Sequence, residues 1–275
     1  MHTTTTTLVL GGTGKTGRRV IERLTARGAD FRVGSRSAEI PFDWTDRTTW
    51  PAALAGIDRV YIAYYPDIAI PGSADLVKVL AEAARDAGVQ RLVLLSGRGE
   101  EEAEATERVV QASGLEWTIV RCSWFNQNFD EGYLLDPILA GEVALPAGDV
   151  PEPFVDADDI ADVAVAALTE DGHVGEVYEL TGPRMLTFAE AVTEIAKATG
   201  REIAFVPLAH EDYIAALADA DLPAEVAWLV GYLFGEVLDG RNAHLSDGVQ
   251  RALGRAPKDF SDYAREAAAR GAWNA

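Results

Sequence analysis

The sequence predicts an α/β fold in which a parallel sheet is doubly wound, with helices covering both of its faces. Short apolar runs alternate with amphipathic stretches through the first two-thirds of the chain, which is the order of strands and helices in such a sheet. The runs are apolar throughout, as strands buried on both faces are. The first run leads directly into a glycine cluster, GGTGKTG, and then into an amphipathic stretch. A strand, a tight turn and a helix in this order are typical of folds that hold phosphate groups at the helix N-terminus.

The elements follow one another in a regular order. Strands are expected at residues 6–10, 29–34, 59–63, 91–95, 116–121 and 175–180. Helices are expected at residues 15–27, 48–54, 73–87, 101–113, 158–169 and 187–199. Asp158 or Asp159 is expected to cap its helix, while Thr187 and Glu190 form a capping box. The remaining chain, including the apolar run at 226–238, is expected to be mostly helical.

Length, composition and charge limit the classes of function. The chain has 275 residues, of which 48% are hydrophobic, so it can bury the core of one large α/β domain and a smaller lobe. Its 24 Lys and Arg against 44 Asp and Glu give a formal net charge of −20. This charge argues against nucleic acid and anionic membranes as partners, because both are bound by basic surfaces.

Cysteine, histidine and terminal patterns bear on compartment and metal binding. The single cysteine, Cys122, excludes an internal disulfide, and the four histidines lack metal-ligand spacing, so no metal site is expected. The N-terminus, MHTTTTT, lacks the features of a signal peptide, and the run at 226–238 is too short to span a bilayer. A cytoplasmic protein, monomeric or homodimeric, is therefore expected.

The glycine cluster has two possible interpretations, and the first is a nucleotide-triphosphate P-loop. That motif reads G-x-x-x-x-G-K-[ST], and Lys15-Thr16 match its end. Its first glycine should then occupy position 9. This position is Val9, which lies inside the first strand, so the loop is too short to enclose phosphates.

The second interpretation is a dinucleotide-binding loop, and the spacing favours it. The pattern fits with either Gly11 or Gly12 first, followed by Gly14 and Gly17. The glycines allow a tight turn, close approach of a pyrophosphate to the backbone, and close packing of helix on strand. The residues of this loop that we expect to bind the cofactor are Gly11, Thr13, Gly14, Lys15, Thr16 and Gly17.

The end of the second strand predicts which dinucleotide is bound. NAD sites usually carry an acidic residue there, whereas this chain has Ser35 and Arg36. Arg36 can form charge-assisted hydrogen bonds with a 2′-phosphate, each contributing about 1.5–3 kcal/mol. We therefore expect NADP(H) as cofactor, with a solvated surface arginine as the alternative for Arg36. Asp43 and Trp44 either contact the adenine or form a simple turn.

Several segments together resemble one enzyme family. They are GGTGKTG, VGSRS, FDW, LVLLSG (92–97), ASGLEWTIVRCSWFNQNF (112–129), FVDADDIA (154–161) and YELTGPRMLTFAEAVTEIAKATGR (178–201). In this order they resemble the NmrA-like branch of the atypical short-chain dehydrogenase/reductase superfamily. GGTGKT, VGSRS and FDW are similar to reductases of the ergot-alkaloid iminium type, and TERVVQASG is similar to bacterial NADPH:quinone reductases.

The resemblance implies a domain organisation and a site. It implies an NADP-binding Rossmann domain at residues 1–160, with residues 161–275 adding its last elements and a smaller, mostly helical C-terminal substrate lobe. A cleft between domain and lobe is also implied. A partner, if there is one besides a small-molecule substrate, is expected to be protein.

The chain departs from the superfamily in its acid–base residues. Most short-chain dehydrogenases use Tyr-x-x-x-Lys for proton transfer, and no tyrosine here has a lysine four positions later. Two hypotheses remain. Either the protein is an NADPH-dependent reductase of a quinone, iminium ion or enone that needs little acid catalysis, or it is a non-catalytic NADP-sensing regulator that binds a protein partner.

Candidates for the nicotinamide and substrate walls lie at the carboxyl ends of strands, where such sheets bind ligands. Tyr64 and Ser96 are expected near the cofactor and are the candidates for donating a proton, if one is needed. Tyr65 is expected in the substrate pocket, with Trp124, Phe125 and Asn126, and core packing is the open alternative for Phe125. The glutamates at 100, 101, 102 and 104 are expected to be the solvated start of a helix.

Overall fold

The computed structural model describes residues 5–219 and 223–274. Its strands are β1 (Thr6–Leu10), β2 (Asp30–Gly34), β3 (Arg59–Ile62), β4 (Arg91–Gly97), β5 (Glu116–Cys122), β6 (Glu142–Leu145), β7 (Glu176–Leu180) and β8 (Ala204–Pro207). Its helices are α1 (Lys15–Ala26), α2 (Trp50–Leu54), α3 (Ser73–Asp86), α4 (Glu101–Gln111), α5 (Leu135–Ala140), α6 (Ala157–Thr169), α7 (Phe188–Thr199), α8 (His210–Asp219), α9 (Ala224–Tyr232), α10 (Gly248–Leu253) and α11 (Phe260–Ala269).

The chain forms two compact units that are interleaved along the sequence. Unit 1 contains the chain up to Cys122 together with Ala157–Leu180 and Gly248–Arg255. Unit 2 contains Ser123–Asp156, Thr181–Asp247 and the segment from Ala256 onward. The segment 123–156 therefore packs with unit 2. The division into domains at residue 160 remains a proposal.

Unit 1 is built on a six-stranded sheet in the order β2-β1-β3-β4-β5-β7, and all of its strand pairs are parallel. Leu8 and Leu10 face one side of this sheet and share a buried cluster with Leu54, Leu80 and Val110, on helices α2, α3 and α4. Helices α1 and α6 pack together, and α6 contacts β3, β4 and β5. The predicted doubly wound parallel sheet is confirmed.

Helix α6 begins one residue earlier than the sequence suggested. Because it begins at Ala157, Asp158 and Asp159 lie in its first turn, and the expectation that one of them caps it is wrong. Both carboxylates bind arginine side chains instead. Asp158 accepts from Arg23 at 3.0 Å and Asp159 from Arg255 at 2.6 Å. Acidic residues in a first turn also interact favourably with the helix dipole.

Unit 2 combines helices with a two-stranded parallel sheet formed by β6 and β8. Its core is aromatic, and Phe154 packs edge-on to Phe188 with ring centroids 5.0 Å apart. Helix α7 has the predicted capping box between Thr187 and Glu190, and it ends at Gly200 in the left-handed conformation. The run at 226–238 is helical as expected, with a π-helical turn at Leu233–Val237 after α9.

Candidate cofactor site

The glycine loop connects β1 to α1 in unit 1 through a tight turn. Gly11 has φ +67°, a left-handed conformation that favours glycine. The N–H of Gly14 donates to the carbonyl oxygen of Gly11 at 2.9 Å. Gly14 is exposed in an extended conformation just before Lys15 starts the helix. The N-terminus of α1 thus presents an open strip of backbone.

The other glycines of the loop permit close packing. A Cβ on Gly17 would overlap the carbonyl oxygen of Gly11. A Cβ on Gly12 would stand 2.9 Å from Cδ1 of Ile21. On Gly14 it would approach only the Gly11 oxygen, at 3.2 Å. A Cβ would meet neighbouring atoms at all four glycines, and the position of Gly14 is the least crowded and is exposed.

The remaining loop residues differ in exposure. Thr13 is exposed, Lys15 is half-buried and Thr16 is buried. The charge of Lys15 lowers the pKa of Asp67, although burial of Asp67 raises it by more. Lys15 therefore extends the positive field of the helix N-terminus toward the end of β3. Next to the loop, Tyr61 of β3 is fully buried, and burial raises the pKa of its hydroxyl.

The end of β2 brings together two predicted residues from different segments. The guanidinium of exposed Arg36 stands over the ring of Tyr65, 5.6 Å from its centroid. Tyr65 is 62% exposed. The hydroxyl oxygens of Ser35 and Ser37 lie 3.4 Å apart beside this arginine. A cation and hydroxyl groups thus cluster where a ribose 2′-substituent is recognised in this fold class.

Asp43 and Trp44 have clear structural roles. The carboxylate of Asp43 accepts from the N–H and the hydroxyl of Thr45, at 2.9 and 2.8 Å, and these bonds lower its pKa. Trp44 is 8% exposed and packs against Tyr64, with ring centroids 4.7 Å apart. The turn alternative thus describes the local structure. Contact of Asp43 or Trp44 with adenine stays a prediction.

The two candidate proton donors sit in different environments. Tyr64 is half-buried, and burial followed by the charge of Glu102 raises the pKa of its hydroxyl. Ser96 is buried, and its hydroxyl donates to Oε1 of Glu107 at 2.6 Å. Arg121 donates to the same oxygen at 2.8 Å. The Ser96 proton is therefore held in a buried polar network between β4, β5 and α4.

The glutamate run at the start of α4 is only partly solvated, contrary to expectation. Glu101 and Glu104 are exposed. The Glu102 carboxylate accepts from the N–H of Gly72 at 2.9 Å. Glu100 is partly buried, and its Oε2 is completely so. The sequence shows four similar glutamates and gives no sign of this difference, apart from Gly97 three positions before Glu100.

The remaining predicted residues belong to unit 2. Trp124 packs against Phe188 and Phe234, with ring centroids 5.2 and 5.0 Å away. Phe125 is half-buried and pairs with Val155 in an isolated β-bridge. Asn126 is fully buried, and its backbone N–H donates to Val155 at 2.8 Å. Trp124 and Asn126 thus take part in the packing of unit 2.

Unit 2 also has a cavity of about 540 Å³ that sequence reasoning missed. Helices α8 and α9 line it, and its aromatic wall is Trp228 stacked on Tyr232, with ring centroids 5.2 Å apart. His210 and Glu236 supply polar groups at its edge. The run at 226–238 thus exposes part of its apolar surface to this cavity.

The geometry of unit 1 agrees with the comparisons to known proteins. A family model described as NAD(P)H-binding matches residues 11–171. This span includes the glycine loop, Arg36 and strands β2 to β5. The chain belongs to the NAD(P)H-binding family. Within the described residues, no helix has the length and apolar character needed to cross a membrane.

Several relatives of this chain are named as oxidoreductases. An NAD(P)H azoreductase of Xenophilus azovorans is 30% identical, over 95% of this chain and 98% of the relative. A festuclavine dehydrogenase of Aspergillus fumigatus is also 30% identical, over 96% and 98%. These names confirm the prediction of an NAD(P)H-dependent oxidoreductase family.

Solved structures share the fold. The NADPH complex of a quinone oxidoreductase of Escherichia coli superposes with a TM-score of 0.80 at 22% identity, over 94% of this chain and 99% of that chain. Nmra, a negative transcriptional regulator, has a TM-score of 0.73 at 18% identity, over 97% and 96%. These likenesses show that the fold is shared, and the 30% identity to the festuclavine dehydrogenase confirms the resemblance to reductases of the ergot-alkaloid type.

Proposed function

We propose that this protein is an NADPH-dependent reductase that passes a hydride to a small quinone, iminium ion or enone without a Tyr-x-x-x-Lys pair. The observation that carries the proposal is the open backbone at Gly14, at the N-terminus of α1, in a member of the NAD(P)H-binding family. The azoreductase and the dehydrogenase among its relatives support reductive chemistry on a small molecule.

The residues present fit the cofactor. The N–H groups at the start of α1 and its partial positive charge suit a pyrophosphate, and no side chain at Gly14 stands in the way. Arg36 would hold the 2′-phosphate of NADPH, with its guanidinium already placed by the Tyr65 ring. The charge of Arg36 also acts on the carboxylate of Asp43 and helps to lower its pKa. Because Arg36 is exposed, its guanidinium is accessible to a phosphate.

Hydride transfer to these acceptors needs little acid catalysis from the protein. NADPH, when bound, supplies the hydride. The protein would orient the acceptor, and holding two reactants in position can contribute effective molarities up to about 10⁵–10⁸ M. An iminium ion needs no proton at this step because it already carries a positive charge. A quinone or enone gives a stabilised anion that then takes up a proton.

The acceptor is proposed to meet aromatic and amide side chains. Exposed Tyr65 and half-buried Tyr64 are the candidates for contacting the acceptor in unit 1. Trp124, Phe125 and Asn126 are the candidates in unit 2, and their roles in the substrate pocket remain proposals. Aromatic rings at these positions would stack on a flat acceptor. The Rossmann domain at 1–160 and the C-terminal lobe remain part of this proposal.

The test is a binding titration followed by a turnover assay. NADPH and NADH are titrated into the purified protein by fluorescence, and NADPH oxidation is then followed against quinones, cyclic iminium ions and enones. We expect NADPH to bind about ten- to a hundredfold more tightly than NADH, and one acceptor class to turn over. No binding of NADPH would contradict the assignment of the glycine loop and Arg36.

The regulatory alternative makes the opposite prediction for turnover. A non-catalytic NADP sensor would bind NADPH with no oxidation against any acceptor. The Nmra likeness, at 18% identity, shows a shared fold alone, whereas the relatives at 30% identity are named as enzymes. The reductase is therefore favoured, and acceptor-dependent oxidation of NADPH would remove the alternative.

A further inference from the structure

Strand β4 ends at a glycine whose missing side chain makes room for a carboxyl group. The side chain of Glu100 folds back over Gly97, and a Cβ built on Gly97 would overlap both carboxyl oxygens. Glu100 precedes α4 and does not cap it with its side chain. The carboxyl group therefore lies over the carboxyl end of β4.

The surroundings of this carboxyl group favour its neutral form. Its Oε2 is buried and has no hydrogen-bond partner among the described residues. Burial raises the pKa of Glu100 well above its usual range, and the carboxylates of Asp67 and Glu107 raise it further. Glu100 in turn adds to the raised pKa of the Cys122 thiol, which faces it from the end of β5.

The cationic side chains near Glu100 interact with other carboxylates. Arg121 forms an ion pair with Glu107. Arg98 forms one with Glu179 at 2.8 Å, although it also faces Cys122 and lowers the pKa of that thiol. The positive charge of Lys15 acts on Asp67. Because burial and acidic neighbours act on Glu100 in the same direction, its carboxyl group keeps its proton when solvated glutamates have lost theirs.

The strand order places Glu100 on the side of the nicotinamide. A dinucleotide lies across the point where the strand order reverses, which in unit 1 is between β1 and β3. Arg36 at the end of β2 marks the adenosine side. The other half of the cofactor would then extend over β3, β4 and β5, and Glu100 covers the end of β4.

We propose that Glu100 is the proton donor for neutral acceptors of this reductase, an inference that rests on the proposed function. A quinone or enone that has received the hydride of NADPH carries the electron pair as an oxyanion. The O–H bond of Glu100 breaks, and the proton forms an O–H bond on that oxygen. The resulting carboxylate takes a proton back from water. NADPH is thereby oxidised by two electrons, and the acceptor gains a hydride and a proton.

The experiment compares acceptors that need a proton with one that does not. Glu100→Gln keeps the shape of the side chain and removes its ionisation. Glu104→Gln is the matched control, because Glu104 is an exposed glutamate of α4 whose partner Arg108 is 3.8 Å away. Single-turnover oxidation of NADPH is followed with a quinone, with a cyclic enone and with an N-alkyl cyclic iminium ion.

We expect Glu100→Gln to slow reduction of the quinone and the enone by about 10²-fold or more, and to change the iminium rate by less than about twofold. In the wild-type protein the rates with neutral acceptors should fall as pH rises through the pKa of Glu100, whereas the iminium rate should not. Glu104→Gln should behave as wild type. Equal losses with both classes, or no loss with either, would overturn the proposal.

A second measurement needs no turnover. Infrared spectra of the wild-type protein should contain the C=O band of a protonated carboxyl group at a pH where solvated glutamates are ionised, and this band should lose intensity in Glu100→Gln. Absence of this difference would overturn the inference alone and leave the reductase intact. A wild-type protein that shows the band and binds NADPH but reduces no acceptor would overturn the proposed function, and the proton-donor role with it.

Discussion

At the scale of single residues, we propose that recognition of the cofactor depends on an arginine that an aromatic ring holds in place. Arg36 and Tyr65 lie on loops after different strands, yet the guanidinium stands over the phenol ring. A cation over an aromatic face contributes about 0.5–1 kcal/mol at an exposed site. This contact already restricts the side chain of Arg36, so less conformational entropy is lost when Arg36 binds a phosphate. We therefore attribute the proposed selectivity for NADPH to the pair.

Replacing Arg36 tests its proposed role in binding the 2′-phosphate of NADPH. Arg36→Ala should weaken NADPH binding by about ten- to a hundredfold, because one or two charge-assisted hydrogen bonds are lost. Binding of NADH, which has no 2′-phosphate, should change little. Arg108→Ala is the control, since Arg108 is 65% exposed on α4. Fluorescence titration of both cofactors measures the effect, and equal weakening of both would contradict the assignment.

The sequence predicts a cofactor role for Arg36 and the glycine loop but gives no sign of the buried carboxyl group of Glu100, for a physical reason. The glycines and the arginine belong to local patterns whose spacing carries their meaning. Glu100 has the same residue type as its solvated neighbours, and only packing over Gly97 separates it from them. The contact between Arg36 and Tyr65 was also invisible, because it depends on where two distant loops meet.

At the scale of elements, the turn between β1 and α1 combines tight packing with one open face. Gly17 packs against the backbone of Gly11 with no space for a side chain, whereas Gly14 faces outward. Neighbouring glycines of one motif therefore do different things. One allows the helix to approach the strand, and the other leaves backbone accessible to a ligand.

This difference predicts two distinct phenotypes. Gly17→Ala should lower the free energy of unfolding by about 1–3 kcal/mol through overpacking, and should weaken NADPH binding as well. Gly14→Ala should lose less stability than Gly17→Ala, since Gly14 has φ −81° and its Cβ would meet only the Gly11 oxygen, at 3.2 Å, but it should bind NADPH at least about tenfold more weakly. Urea unfolding and NADPH titration separate the two effects. Intact NADPH affinity in Gly14→Ala would show that the ligand lies elsewhere.

Helices and strands could be predicted from the sequence where their pattern lies within a single segment. The six strands of the unit 1 sheet were all expected, because each contains apolar residues at its place in the regular order of strands and helices along the sequence. Strands β6 and β8 were missed: each is short, and Val143 pairs with Phe205 across a long stretch of sequence. Their pairing is fixed by tertiary contacts that single-segment patterns do not contain.

At the scale of the whole molecule, buried acids make stability depend on pH. The pKa values of Glu100 and Asp67 are both raised, mainly by burial. Between the unfolded and the folded pKa, the native state holds more protons than the unfolded chain. Each such group therefore stabilises the fold below its unfolded pKa, and this contribution is lost as pH rises through the folded pKa.

Replacing Glu100 should change this dependence. The stability of Glu100→Gln relative to wild type should increase with pH, by up to about 1.4 kcal/mol per pH unit, from the unfolded pKa near about 4.3 up to the raised folded value. Urea unfolding of both proteins across this range measures it. Glu104→Gln should show no such trend, and a constant difference between wild type and Glu100→Gln would mean that Glu100 is ionised in the native state.

The interleaving of the two units limits how such a protein can change. The chain leaves unit 1 after Cys122, returns at Ala157, leaves again after Leu180 and returns at Gly248. No single cut in the gene releases either unit as a contiguous module, and a fragment ending at residue 160 would lack β7 and most of α6. Exchange of one whole unit between relatives therefore requires several crossovers in the gene, whereas a point substitution or a loop insertion changes one unit directly.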